Sequence, residues 1–418
     1  MTGTGPAGSV LDIRWILAAQ AGRAFGYGLA AVLLGATLAA TGLSAAQVGL
    51  VLAAVVAGTV GASLAVGVLA DRLGRRRTYL ALYGALATTG VVYAATDWWP
   101  VLATVALLGV LSTEVVESGP FTTVEQAMLA STLTDPKPLV AGFGRYNAVA
   151  AAAGSLGALA AAGPSLLRRW LPAAPADQRY FLALGAVALL GGYAATRLSA
   201  QVEADPRPRR PEPAPVGRPA PVVWRLAGLF AVDSFAGGFV VQAYLVYWLQ
   251  HRYAASTAVT GILMFAVGLL QTASFLAAPR IAHRVGLLPT MVFSHLPSNL
   301  LLAALAFAPN LATAVGLLLA RTALSQMDVP TRQAYVMGLV PPAQRTRAAA
   351  LTNTARYLTR PAGAALVGPT QLLAPGLPFV LAGAIKTGYD LTLWTWFRRV
   401  PLPQPTTEPA AATVGGTR

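Results

Sequence analysis

Residues 67–77 (Gly67-Val68-Leu69-Ala70-Asp71-Arg72-Leu73-Gly74-Arg75-Arg76-Arg77) press an aspartate, a tight glycine and four arginines into one short turn between two long apolar runs. A turn that short holds four guanidinium groups only if it stays in water. The runs on either side, Gln47 to Leu69 and Thr78 to Ala95, have the length of a bilayer-spanning helix, roughly 20 residues. The turn is therefore expected to be the polar tip of a hairpin of two crossing helices, and short arginine-rich loops stay on the cytoplasmic side. Only 11% of the 418 residues are charged, 56% are hydrophobic, and mean hydropathy is +0.59. A soluble domain carries about 25% charged residues, so this chain is built for lipid. About twelve spanning helices with short loops use most of its length. The expected fold class is an all-α membrane protein.

The net charge of +15 raises the question of nucleic acid, but its placement answers against it. Arg72, Arg75, Arg76, Arg77, Arg207, Arg209, Arg210, Arg218, Arg280, Arg284, Arg345, Arg347, Arg398 and Arg399 fall in alternate gaps between apolar runs. The opposite gaps hold little beyond Arg168, Arg169, Arg179 and Arg252. This asymmetry assigns both termini to the cytoplasm, with the chain crossing the cell (inner) membrane many times. Met1 to Arg14 lacks the shape of a cleavable signal, because the first apolar run continues as a full span. Cysteine is absent, which removes disulfide and thiolate-metal readings.

To within a few residues at each end, the expected spans are Trp15–Ala40, Gln47–Leu69, Thr78–Ala95, Val101–Val124 with a polar extension to Leu133, Leu139–Leu167 and Tyr180–Leu198. Asp205 to Pro221 then alternates proline, arginine and alanine, a texture that makes an extended linker. The second set is Val222–Leu249, Val259–His283, Leu288–Phe307, Leu311–Pro330 with an extension to Val340, Ala349–Leu373 and Phe379–Phe397. The domain organisation is thus a six-helix bundle over 1–199, a cytoplasmic linker over 200–221, a second bundle over 222–400 and a disordered tail over 401–418.

The two sets align in order along the chain. Arg23-Ala24-Phe25-Gly26-Tyr27-Gly28 matches Asp233-Ser234-Phe235-Ala236-Gly237-Gly238, and Leu69-Ala70-Asp71-Arg72-Leu73-Gly74 matches Ile281-Ala282-His283-Arg284-Val285-Gly286. Pro120 matches Pro330, and Glu125-Gln126-Ala127 matches Arg332-Gln333-Ala334. With the turn at Gly67 to Arg77, this pattern resembles the major facilitator superfamily, whose signature loop between the second and third helices reads G-x-L-a-D-r-x-G-r-r-r. The resemblance covers the whole chain and implies two pseudo-symmetric six-helix bundles. It also implies a cavity lined by helices one, four, seven and ten, and a latch built from Gly67, Asp71, Arg72, Gly74 and Arg75. Asp71 would dock on the positive N-terminal end of helix eleven, with Arg356 a candidate partner.

A charge deep in a span costs about 2.5 kcal/mol or more, so it faces protein or a wet cavity. Arg23 and Asp233 are repeat mates of opposite sign, expected either to face each other across the cavity or to be fixed bridges to other neighbours. Glu114 and Glu117 lie three apart on helix four, as a proton-carrying pair or as acids neutralised by arginines of helices ten or eleven. Arg321 and Asp328 share a face of helix ten, followed by Arg332 and the helix-bending Pro330. Lys386 and Asp390, four apart, are expected to neutralise each other within helix twelve. Gln20, Tyr27, Gln242 and Gln326 complete the candidate substrate-contacting set.

The expected function is secondary active transport by alternating access, with protons as coupling ion and export of a small organic molecule or drug, an antiporter working in efflux. Uptake or exchange of a small organic anion is the alternative, favoured by the buried arginines. A non-transporting membrane sensor is the reading of a different class. The drug exporters of the superfamily often carry an arginine in the middle of helix four, and residues 109–119 have none. An enzyme is not expected, since no H-E-x-x-H, P-loop or G-x-S-x-G motif is present. No cofactor and no metal are expected, and the chain is taken as a monomer in the lipid bilayer with no nucleic-acid partner.

Overall fold

Apolar residues on every face and few charges leave the chain only helix as a way to satisfy its backbone in lipid. The computed structural model describes residues 6–114, 119–132, 136–203, 221–340 and 344–400. Among them are seventeen α-helices, two 3-10 helices and no strand. In order they are α1 Pro6–Ala40, α2 Ala45–Leu73, α3 Arg75–Ala95, α4 Trp99–Ala106, α5 Pro120–Thr132, α6 Pro136–Ala160 and α7 Gly163–Trp170. The 3-10 turn Asp177–Leu182 leads into α8 Ala183–Thr196, and a second, Ala200–Val202, precedes the linker. Then come α9 Pro221–Gly238, α10 Gln242–Tyr253, α11 Thr257–Val285, α12 Leu287–Leu305, α13 Leu311–Ser325, α14 Asp328–Leu339, α15 Arg345–Ala365, α16 Val367–Leu373 and α17 Leu377–Phe397. Most of the expected linker and the whole expected tail lie outside the described residues.

Taken as membrane-length segments these helices make twelve spans, several of them broken. Helix four is not continuous. It unwinds between α4 and α5, with Gly109 at φ 71° and Gly119 at φ 125°, values that favour glycine. The freed carbonyls are not left bare. Tyr27 Oη donates to Val110 O at 2.7 Å, and Thr59 Oγ1 donates to Leu111 O at 3.2 Å. Helix seven likewise breaks between α9 and α10, and helix ten between α13 and α14. Pro330 is therefore not the bend. It sits in the first turn of α14, where its missing N–H has no helical partner to lose.

Packing repeats between the halves. α1 lies on α6 as α9 lies on α15, and α3 lies on α8 as α12 lies on α17. Glycine permits both of the first two contacts. A Cβ on Gly28 would meet Gly154 O at 1.9 Å and one on Gly157 would meet Phe25 O at 1.9 Å. In the second half a Cβ on Gly238 would meet Arg360 O at 2.3 Å and one on Gly363 would meet Phe235 O at 1.9 Å.

Between the halves, α1 packs on α10, α2 on α15 and α16, and α6 on α11. The tight approaches, Gly35 on Ala243 and Val246, Gly49 on Gly368, and Gly261 on Ala158 and Ala162, all lie toward the end away from the Gly74 turn. That far end is closed. Residues 26–38 of α1 are all buried there, whereas Val68, Leu69 and Leu73 near the arginine-rich end of α2 are exposed.

Candidate functional site

A cavity of about 210 Å³ lies at mid-depth between the halves. The second half supplies most of its wall, from α9 through α15 and α17. The first half contributes Thr113 and Glu114, both in the unwound stretch between α4 and α5. Unwinding aims Glu114 across the cavity, where its carboxylate pairs with the Arg360 guanidinium of α15. This is an ion pair between the two halves. Both side chains are partly exposed, 34% and 22%, so water reaches them. Glu114 itself is not helical, and Glu117 lies outside the described residues.

On the opposite wall is a dense buried cluster. Asp233 of α9 accepts from Lys386 Nζ of α17 at 2.5 Å, with Arg332 Nη1 of α14 at 3.8 Å. Arg332 Nη1 donates to Asp328 Oδ2 at 2.7 Å. Lys386 and Asp390 thus do not neutralise each other as their spacing suggested. Each turns to a different helix, Lys386 to α9 and Asp390 to α12. The Asp390 carboxylate lies 3.0 and 3.1 Å from His295 Nδ1 and accepts from Asn299 Nδ2 at 2.7 Å. Lysine and arginine are interleaved with the acids, and among the described residues no group of three or more His, Asp or Glu is placed to hold a metal ion.

Arg321 of α13 also lines the cavity, as do Gln326 and, on α10, Gln242. Among the described residues it has no carboxylate within ion-pair distance, and its Nε has no hydrogen-bond partner. Asp328 lies on the same wall but is bonded to Arg332 instead.

The first half holds a dry counterpart. Arg23 donates to Glu125 through Nε at 3.1 Å and Nη2 at 2.7 Å. Tyr79 and Tyr146 donate to the same carboxylate, and Arg23 lies over the Tyr27 and Phe121 rings at 5.1 and 5.7 Å. Arg23 and Asp233 therefore do not face each other. Each is bridged inside its own half, Arg23 to Glu125 and Asp233 to Lys386 and Arg332. The sign reversal between repeat mates is matched by a second reversal, Glu125 against Arg332, and that alignment carried the signal for Glu125. Gln20 and Tyr27 also lie away from the cavity: Gln20 Nε2 donates to Tyr146 O at 2.7 Å, and Tyr27 props the α4–α5 break. Both are fully buried in the interior of the first half.

At the arginine-rich end, Gly74 takes φ 94° between α2 and α3. Asp71 pairs with Arg75 at 2.7 Å within the same turn, its side chain 58% exposed, and Arg72 is exposed. Arg356 lines the cavity and is not the partner of Asp71 in this conformation. Gly67 faces Thr123 of α5, the nearest atom to a Cβ built there being 3.8 Å away. Glu203 was not anticipated: its carboxylate accepts from the backbone N–H of Arg75 at 2.6 Å and of Arg76 at 3.2 Å, capping α3.

Two six-helix sets, related by an internal repeat and closed at one end over a charged cavity, define a transporter fold of the multi-pass membrane class. The chain belongs to the Major Facilitator Superfamily, whose sequence profile matches residues 16–364. It is 25% identical over 428 aligned positions to the uncharacterized membrane protein YJR124C of Saccharomyces cerevisiae, covering 92% of this chain and 94% of that one. Among solved structures it is similar to an auto-inhibited peptide transporter of the POT family, with TM-score 0.73 and 12% identity over 96% of this chain and 99% of the other. It is also similar to a variant of the nucleoside transporter NupG, with TM-score 0.71 and 16% identity over 93% and 99% of the two chains.

Proposed function

We propose that the protein moves a small organic anion across the membrane by alternating access, with a proton as coupling ion. Arg321 carries this reading. Among the described residues it is a cation without an ion-pair partner, at the wall of a cavity whose described lining has five lysine or arginine residues against three carboxylates. An unpaired guanidinium in low dielectric is a standing site for a carboxylate or phosphate. A lipophilic cation, the expected cargo of a drug exporter, would find Glu114, Asp233 and Asp328 already engaged by basic side chains. Arg360 adds a second contact once an incoming anion displaces Glu114.

The arginine-rich end is assigned to the cytoplasm by the charge bias of the loops. The closed far end then makes this the inward-facing arrangement. In the opposite state Asp71 leaves Arg75 and docks on the N-terminal end of α15, closing the cytoplasmic side.

The test is thermal stabilisation of the purified chain by succinate and benzoate on one side and tetraphenylphosphonium on the other. Ligand at about 100 times its Kd adds about 2.7 kcal/mol of stability. The anions are expected to raise the melting temperature and Arg321→Gln to abolish the effect. Stabilisation by tetraphenylphosphonium alone would return the protein to the drug-export reading.

A further inference from the structure

We infer that His295 and Asp390 form a proton-binding site open to the cavity, and that the coupling proton rides there. The functional half of this inference rests on the transport reading above, while the proton site itself does not. Its ground is a charge count in a buried cluster. Asp233, Asp328 and Asp390 bring three carboxylates, and Arg332 and Lys386 bring two fixed cations. Within these five groups one negative charge is left over, the cavity's other cations, Arg321, Arg356 and Arg360, standing on α13 and α15. Such an excess where water is scarce is balanced by binding a proton.

Geometry says where. Lys386 is engaged by Asp233 and Arg332 by Asp328. Asp390 receives neither cation and is held by His295 and Asn299. It is 1% exposed and does not line the cavity, whereas His295 does. Cavity water thus reaches the pair through the imidazole. Histidine is the side chain that changes charge near neutral pH. Uptake forms one N–H bond on the ring as one O–H bond of a hydronium ion in the cavity breaks and leaves water, and release reverses the transfer.

Among the described residues the one further acid on the cavity wall is Glu114, which Arg360 engages. α11 presents Gln271 and Phe275 to the cavity, α13 presents Arg321, and α15 presents Arg356 and Arg360. Tyr389 of α17 stands edge-on to the His295 ring at 6.2 Å. The site is carried on α12 and α17, which are not among the helices one, four, seven and ten expected to line the cavity. It sits one residue pair away from Asp233, which touches both the cavity and Lys386, so protonation changes the field felt by an anion in the cavity.

The chain has three histidines, and His251 and His283 are exposed. His251→Gln with His283→Gln leaves His295 as the single NMR-visible imidazole without touching the site. In that labelled, purified chain the His295 signal is expected to titrate between about pH 5 and 8, and its midpoint to move when Asp390→Asn removes the partner carboxylate. A His295 signal that holds one state across that range, or a midpoint indifferent to Asp390→Asn, would overturn the site. In proteoliposomes with succinate and benzoate as probes, an imposed pH gradient should accelerate uptake by the unsubstituted chain. His295→Gln should lose the acceleration, and a variant that responds as fully as the unsubstituted chain refutes the coupling role. Failure of the unsubstituted chain to move either anion would overturn the substrate reading instead, with the titration still deciding the proton site.

Discussion

Arg23 and Glu125 form a pair that water does not reach, at 1% and 0% exposure, whereas Glu114 and Arg360 form one that water does. The same chemistry serves different ends in the two places. Breaking a dry pair leaves a buried charge without compensation, at about 3–5 kcal/mol. Arg23→Gln alone should therefore lower the melting temperature sharply, while Arg23→Met together with Glu125→Leu should recover most of the loss. A double variant no more stable than the single would refute a purely structural role. The wet pair is different, because Glu114 occupies a guanidinium that an anionic substrate would also seek. Glu114→Gln is expected to lower the succinate or benzoate concentration for half-maximal stabilisation by about tenfold, equal to about 1.4 kcal/mol. An unchanged or higher concentration would show that Glu114 does not compete. The opposite signs of Arg23 and Asp233 were legible in the sequence, but their partners were not. A charge on one helix does not announce which of its neighbours it meets, and only the paired reversal of Glu125 and Arg332 pointed inward to each half.

The α4–α5 break shows what sequence periodicity does not see. Hydropathy runs on through residues 107–114, so a continuous span was expected. The chain unwinds because Gly109 takes a left-handed φ and fits against Gly58, whose carbonyl would lie 2.0 Å from a Cβ at that position. The unwound carbonyls are satisfied by hydroxyls from α1 and α2, residues remote in sequence. Tyr27→Phe keeps the ring and deletes the donor, so Val110 O is left bare in a buried site at about 1–3 kcal/mol. The expected outcome is a lower melting temperature with succinate and benzoate stabilisation still present, since Tyr27 does not reach the cavity. A Tyr27→Phe variant that melts normally but no longer responds to anions would place Tyr27 in the site after all. Spans one to three, eight and nine were close to readable from apolar length. The breaks within spans four, seven and ten were not, because they are set by partners from elsewhere in the chain.

At the scale of the whole molecule, the Gly67 to Arg77 turn and the internal repeat were enough to read the topology, whereas the conformational state was invisible in sequence. That state depends on glycine contacts at the far end, such as Gly49 against Gly368, where the Gly368 backbone nitrogen lies 2.7 Å from a Cβ built on Gly49. Gly49→Leu cannot be housed there and should drive the far end open. The chain contains no cysteine, so a single Gln242→Cys reports on cavity access without background. Gly49→Leu is expected to raise its labelling by a membrane-impermeant maleimide from the far side, and equal labelling in both backgrounds would sink the closure assignment. The broken and charged spans also bear on how the polypeptide is made. Among the described residues eight helices are long and apolar enough to cross a membrane, and spans four, ten, eleven and twelve are not among them. Three of these leave the ribosome last, and they carry Arg332, Arg360 and Lys386, the partners of Asp233 and Glu114. A nascent chain cut short after α12 would hold both acids in lipid with no counter-ion. Completion of the last three helices is thus what supplies Asp233 and Glu114 with their counter-ions.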